Sequence, residues 1–175
     1  MRILVAEDEV EIASQYESVL TERNHEVIVT HDGNQCLKAF YSELDKVQAT
    51  ESYSPLRAPF DAIILDYRMP KRDGMKVAEE ILAVQPKQRI LFASAYVLET
   101  LADSVRTLQQ VVELIQKPFE LDTLADLVED KSIWQGLEAI NANVKAIKDL
   151  NPSHREIRDL LEGLRKIQKG RALPR

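Results

Sequence analysis

Three carboxylates, a hydroxyl and an ammonium group stand out by where they fall in the chain. Glu7 and Asp8 follow the aliphatic run Arg2–Ala6, and Asp66 ends the run Ala62–Leu65. Ser94 follows Arg89–Ala93, and Lys117 comes just after Val111–Ile115. Each run is short, apolar and without alternation, the pattern of a strand covered on both faces in a parallel sheet. In an open sheet of that kind the carboxyl ends of the strands share one crevice, so the five polar groups would meet there. Crowded carboxylates repel, which raises some of their pKa values unless a cation is present. A ligand set of oxygens without His or Cys favours magnesium. Lys117 would add a fixed positive charge for an anionic oxygen, and Ser94 a hydroxyl beside it. Any one of these residues alone reads as a cap or a turn residue. Five of them, each behind its own strand, do not.

The elements that would position them alternate. After Glu7-Asp8-Glu9, the residues Val10, Ala13, Tyr16, Val19 and Leu20 recur at helical spacing. His25–Thr30 reads as a second strand and His31-Asp32-Gly33 as its turn. Cys36, Leu37, Phe40, Tyr41, Leu44 and Val47 then mark a helix, and Gln48–Pro59 a loop. The third strand closes on Asp66, where Pro70 and Gly74 turn the chain into a helix over Met75–Val84. Gln85-Pro86 ends that helix. Val97–Gln109 and Leu121–Val128 supply the last two helices around the fifth strand. Strands and helices in strict alternation predict an α/β fold with a doubly wound parallel sheet, (βα)5.

Composition sets outer bounds. The 175 residues allow one full domain and something smaller, and 45% hydrophobic with 30% charged residues is the balance of a soluble globular protein. No apolar run reaches membrane-spanning length, and the first residues lead into acids rather than a signal-peptide core. Cys36 is the only cysteine, which excludes an internal disulfide and fits a reducing cytoplasm. His25, His31 and His154 share no metal-ligand spacing. The net charge of −6 is unevenly spread: residues 1–130 carry 13 Lys and Arg against 24 Asp and Glu, residues 131–175 carry 10 against 5. That shift predicts a domain boundary near residue 130.

The pair Glu7-Asp8, the stretch Leu65-Asp66-Tyr67-Arg68-Met69-Pro70 with Gly74, the run Ala93-Ser94-Ala95 and Lys117-Pro118-Phe119 together resemble the receiver domain of two-component response regulators. The resemblance covers roughly residues 1–130 and implies the flavodoxin-like strand order 2-1-3-4-5. It implies that Asp66 accepts a phosphoryl group. Asp8 and Asp66 would ligate magnesium directly, Glu7 through water, and the Arg68 carbonyl would be a further ligand. Lys117 and Ser94 would meet the phosphoryl oxygens. The donor would be a phosphohistidine on a partner kinase or phosphotransfer protein, since no Gly-rich nucleotide loop occurs. Leu114 departs from the family, which usually places an aromatic switch residue there. Tyr96 is the nearest aromatic, and with Arg68 it would shield the phosphoryl group and slow its loss. A hydrolase of the haloacid-dehalogenase type is disfavoured, because that pattern needs an acid where Arg68 stands.

The tail follows a different rule. Ile133, Leu137, Ile140, Val144 and Ile147 step by 4, 3, 4 and 3, and Trp134 flanks them. Asn151-Pro152 breaks this helix, Ser153 and Glu156 suit a capping box, and Ile157, Leu160, Leu161, Leu164 and Ile167 form a second apolar face. A helical hairpin over 131–175 follows, suited to homodimerisation or a protein partner. Its basic charge leaves DNA contact as the alternative, that of a transcription regulator.

Overall fold

A computed structural model describes residues 1–49, 58–95, 112–140, 142 and 154–171. Most of the Gln48–Pro59 loop, the helix expected over Val97–Gln109, Tyr96, and the Asn151-Pro152 break with Ser153 lie outside the described residues. Strands β1 (Arg2–Ala6), β2 (Glu26–Thr30), β3 (Ala62–Asp66), β4 (Ile90–Ser94) and β5 (Val112–Gln116) form one sheet in the order β2-β1-β3-β4-β5. Every pairing is parallel. Between them run α1 (Val10–Glu22), α2 (Gly33–Gln48) and α3 (Gly74–Val84); α4 (Leu121–Ala139) and α5 (His154–Arg171) follow β5.

The register brings the strand ends level. Ala6 pairs with Thr30 and Leu65, Asp66 with Ala93, and Ser94 with Gln116. The apolar runs are buried on both sides, as their lack of alternation requires. Leu4, Ala6, Ile63, Leu65, Ile90 and Phe92 share a core with Cys36, Leu37 and Phe40 of α2 and Val77, Ala78 and Ile81 of α3. The intervening Ile3, Val5, Ile64, Leu91 and Ala93 are equally buried, and so are Ala13, Tyr16 and Leu20 of α1. Each Val, Leu, Ile or Phe side chain among them contributes about 1.5–3 kcal/mol by leaving water. Asp32 caps α2 through the amide of Gln35, and Asp73 caps α3 through the amide of Lys76. Val10, expected on the buried stripe of α1, is exposed.

Contacts divide the chain into two compact units, Met1–Leu124 and Ala125–Arg175. The expected short helix Leu121–Val128 is corrected: α4 runs to Ala139 without a break. The charged and polar residues from Glu129 to Ser132 include neither Pro nor Gly, so nothing there stops a helix. Within the second unit Ile133 and Leu137 of α4 pack on Ile157 and Leu161 of α5, with Ile140, Ala142 and Leu164 partly buried around them. Gly136 lets α5 approach, since a Cβ there would lie 2.8 Å from Leu161 Cδ2. The apolar face of α5 is narrower than its sequence suggests, because Leu160 and Ile167 are 38% and 56% exposed. Val144 and Ile147 lie outside the described residues.

Candidate functional site

The acids arrive at the crevice because β1 and β3 end in it. Past Ala6 the chain keeps one more sheet-like bond, from the Glu7 amide to the Thr30 carbonyl at 3.0 Å, which carries the Glu7 side chain inside. Glu7 is 1% exposed and Asp66 9% exposed, while Asp8 is half-buried. One oxygen from each of the three acids lies within 4.8 Å of the others. The Lys117 ammonium donates to Glu7 Oε2 at 2.7 Å and to Asp66 Oδ1 at 2.9 Å. The amide of Arg68 donates to the other Asp66 oxygen, Oδ2, at 2.8 Å. Nδ1 of His31 lies 3.1 Å from the Glu7 carbonyl oxygen, a packing position and not a ligand's.

One ammonium cannot balance three carboxylates. Burial pushes the Glu7 carboxyl above its ordinary pKa despite the hydrogen bond from Lys117. For Lys117, burial opposes the charge, but its bonds to Glu7 and Asp66 outweigh that and raise its pKa. Burial, then the charges of Glu7 and Asp66, also push the Tyr16 hydroxyl upward. Glu7 Oε1 is buried and has no hydrogen-bond partner among the described residues. An orphaned carboxylate oxygen, two neighbouring acids and an all-oxygen donor set fit a hard divalent cation such as magnesium.

The loop after β3 is held close beneath the end of that strand. Gly74 donates its amide to the Tyr67 carbonyl at 2.9 Å, and a Cβ there would meet the Asp66 carbonyl oxygen at 2.2 Å, so only glycine fits. On the other side Ser94 ends β4, 2% exposed, and its carbonyl accepts the Lys117 amide at 2.7 Å. Leu114 packs against the core shared by α2 and α3. The structure thus brings together Glu7, Asp8, Asp66, the Arg68 backbone, Ser94 and Lys117. The Arg68 side chain is exposed.

Two features escaped the sequence reading. Tyr16 and Phe119 stack with ring centroids 5.7 Å apart, and with Ile12, Ala95, Lys117 and Pro118 they line a groove of about 340 Å³ beside the acids. Asp32 accepts a hydrogen bond from Lys71 at 2.6 Å, across 39 positions of sequence. The helical spacing of Tyr16 and the turn at Asp32 were visible; their partners were not.

Residues 3–129 match the family of the response regulator receiver domain. This chain belongs to that family. Among curated relatives, the receiver is 29% identical over 125 residues to transcriptional regulatory protein DltR of Streptococcus agalactiae, covering 71% of this chain and 48% of DltR. The chain therefore spans about half the length of that relative. Transcriptional regulatory protein PdtaR of Mycobacterium tuberculosis is 25% identical over 174 residues, 99% of this chain and 77% of PdtaR. Among solved structures, response regulator protein TrrA of Thermotoga maritima, in complex with Mg(2+)-BeF, superposes with a TM-score of 0.57. That match is 26% identical and covers 74% of this chain and 96% of TrrA.

Proposed function

We propose that this chain is the response regulator of a two-component phosphorelay, phosphorylated on Asp66 by a histidine kinase or phosphotransfer protein. In that reading residues 1–130 are the receiver and 131–175 an output extension, working in the cytoplasm where such kinases present their phosphohistidine. The support that carries it is the Lys117 ammonium held between Glu7 and Asp66, beside a buried carboxylate oxygen that lacks a partner among the described residues. Glu7, Asp8, Asp66 and the Arg68 carbonyl would hold a magnesium ion, whose charge would offset the repulsion between acids and phosphoryl group.

The protein's own residues then have distinct tasks. One oxygen of Asp66 attacks phosphorus, the bond from phosphorus to the donor imidazole nitrogen breaks, and that nitrogen keeps the electron pair. The Arg68 amide holds the carboxylate in one orientation before attack. Lys117 donates to a phosphoryl oxygen as negative charge builds there. Ser94 turns its hydroxyl toward the same group, and with Leu114 in the core the switch runs without an exchanging aromatic. The phosphorylated state changes a protein-binding surface. Catalysis ends there: the domain transfers a phosphoryl group to itself and loses it slowly, shielded by Arg68 and Tyr96.

Mass measurement after treatment with acetyl phosphate and magnesium tests this directly. Wild type takes one phosphoryl group and Asp66→Asn takes none; a labelled Asp66→Asn, or an unlabelled wild type, would overturn the assignment. In the same samples Arg68→Ala with Tyr96→Ala loses its label several-fold faster than wild type, and equal decay would refute the shielding. For the extension we favour a homodimer, supported by the exposed Leu160 and Ile167 on α5. A DNA-binding transcription regulator is the second reading, favoured by the match to PdtaR, which continues through the tail. Light scattering of the full chain decides the first, where a monomer at high micromolar concentration counts against it. A salt-dependent DNA mobility shift would favour the second.

A further inference from the structure

We infer that Asp32 and Lys71 are positioning residues for the acceptor: their ion pair holds the loop after β3 in the shape that presents Asp66. The inference rests on the acceptor reading above and adds a role that lies outside the acid cluster. Lys71 has a φ of 66°, a left-handed conformation that a residue with a Cβ adopts only when its surroundings hold it there. Its ammonium donates to Asp32 Oδ2 at 2.6 Å. Asp32 is itself fixed, 3% exposed, with Oδ1 accepting the Gln35 amide at 2.8 Å and Oδ2 the Gln35 side-chain amide at 2.9 Å. The Lys71 and Gln35 donors hold its carboxyl below the usual range.

The two loops touch at a second point. A Cβ on Gly33 would lie 2.3 Å from the Arg72 carbonyl oxygen, so the corner after β2 and the loop after β3 are in direct contact. Since β1 lies between β2 and β3, this clasp passes over the strand end that supplies Glu7 and Asp8. The loop's far end is fixed by Gly74 under the Asp66 carbonyl. Ahead of these two holds, the Arg68 amide of the same loop bonds the acceptor carboxylate at Oδ2, at 2.8 Å. Lys117 occupies the other oxygen, so a loop that drifts rotates Asp66 away from Lys117 and from its neighbouring acids. The Lys71 side chain is 59% exposed, which makes the pair modest in energy and its value lie in direction.

The test uses the full chain with Lys71→Met, which keeps the stem and loses the charge. Asp32→Asn keeps the helix cap, and Lys71→Arg keeps the charge. Magnesium affinity is read by calorimetry, and labelling by acetyl phosphate is followed against magnesium concentration. Both neutral variants should bind magnesium about three- to fivefold more weakly, the range open to a partly exposed pair. Their half-maximal labelling should shift by the same factor, with full labelling at saturating magnesium. Lys71→Arg should restore wild-type affinity, and the double variant should be no worse than either single one. A merely structural pair would lower the melting temperature and leave magnesium affinity alone, and that result overturns the proposal. Labelled wild type with unshifted variants refutes the positioning role only; an unlabelled wild type overturns the acceptor reading and this inference with it.

Discussion

The two ends of the sheet use the same residue types to opposite effect. At the amino end, Arg2 bonds both Glu26 and Glu43, its amide donates to Asp61 at 2.6 Å, and its guanidinium lies 5.4 Å from the Phe60 ring centre. Glu43 also receives Lys46 at 2.7 Å, and Arg89 meets Glu113 through two bonds at 2.7 Å. Arg2 and then Lys46 hold the Glu43 carboxyl below its usual pKa. At the carboxyl end three acids cluster while Lys117 bonds only Glu7 and Asp66, and burial drives Glu7 the other way. Paired charges lock a fold; a surplus of one sign leaves the protein ready for a ligand of the other sign, at a cost in stability.

Breaking the Lys117 pairing at the carboxyl end should have the largest effect. Lys117→Met leaves Glu7 and Asp66 buried without a counter-charge, and should lower stability in metal-free buffer by about 3 kcal/mol. Labelling by acetyl phosphate should fall about a hundredfold or more. Urea unfolding and mass measurement read the two, and a variant that matches wild type in both would remove Lys117 from the site.

Removing an acid should separate the two ends by sign. Glu7→Gln relieves the surplus, and should raise stability by about 1–2 kcal/mol in metal-free buffer at neutral pH while weakening magnesium binding. Glu43→Gln takes a paired acid away, and should lower stability by under about 1 kcal/mol with labelling intact. If both substitutions shift unfolding in the same direction, the contrast between the ends is wrong.

The smallest effect is a pH dependence. The depressed Glu43 pKa means that the unfolded chain binds more protons as pH falls through the carboxylate range. Its stabilisation is therefore present above the ordinary Glu value and lost as pH falls from there through the lower, folded-state value. Thermal unfolding of wild type and Glu43→Gln should converge over that interval. A gap that stays constant would show that Glu43 contributes by packing and not by charge.

The order of elements was legible in the sequence because β1, β3 and β4 are buried on both faces and so carry unbroken apolar runs. Asp66 and its neighbours in the crevice were legible for the same reason, each polar residue marking the point where such a run stops. The extent of α4 was not. Helical spacing shows on both sides of residues 129–132, but not that the two stretches join into one helix. The far half of that helix buries Ile133 and Leu137 against Ile157 and Leu161 only when the chain folds back.

By itself the sequence determined which residues end the strands, where the charge changes sign, and which glycine and proline turn the chain after Asp66. Only the tertiary structure decided which charges meet. Lys117 is 110 positions from Glu7 and 51 from Asp66, and Lys71 is 39 from Asp32. Spacing of that length carries no periodic signal. The partners are selected by strand order and register, which place the ends of β2, β1, β3 and β4 side by side and leave each ammonium one carboxylate crevice to enter.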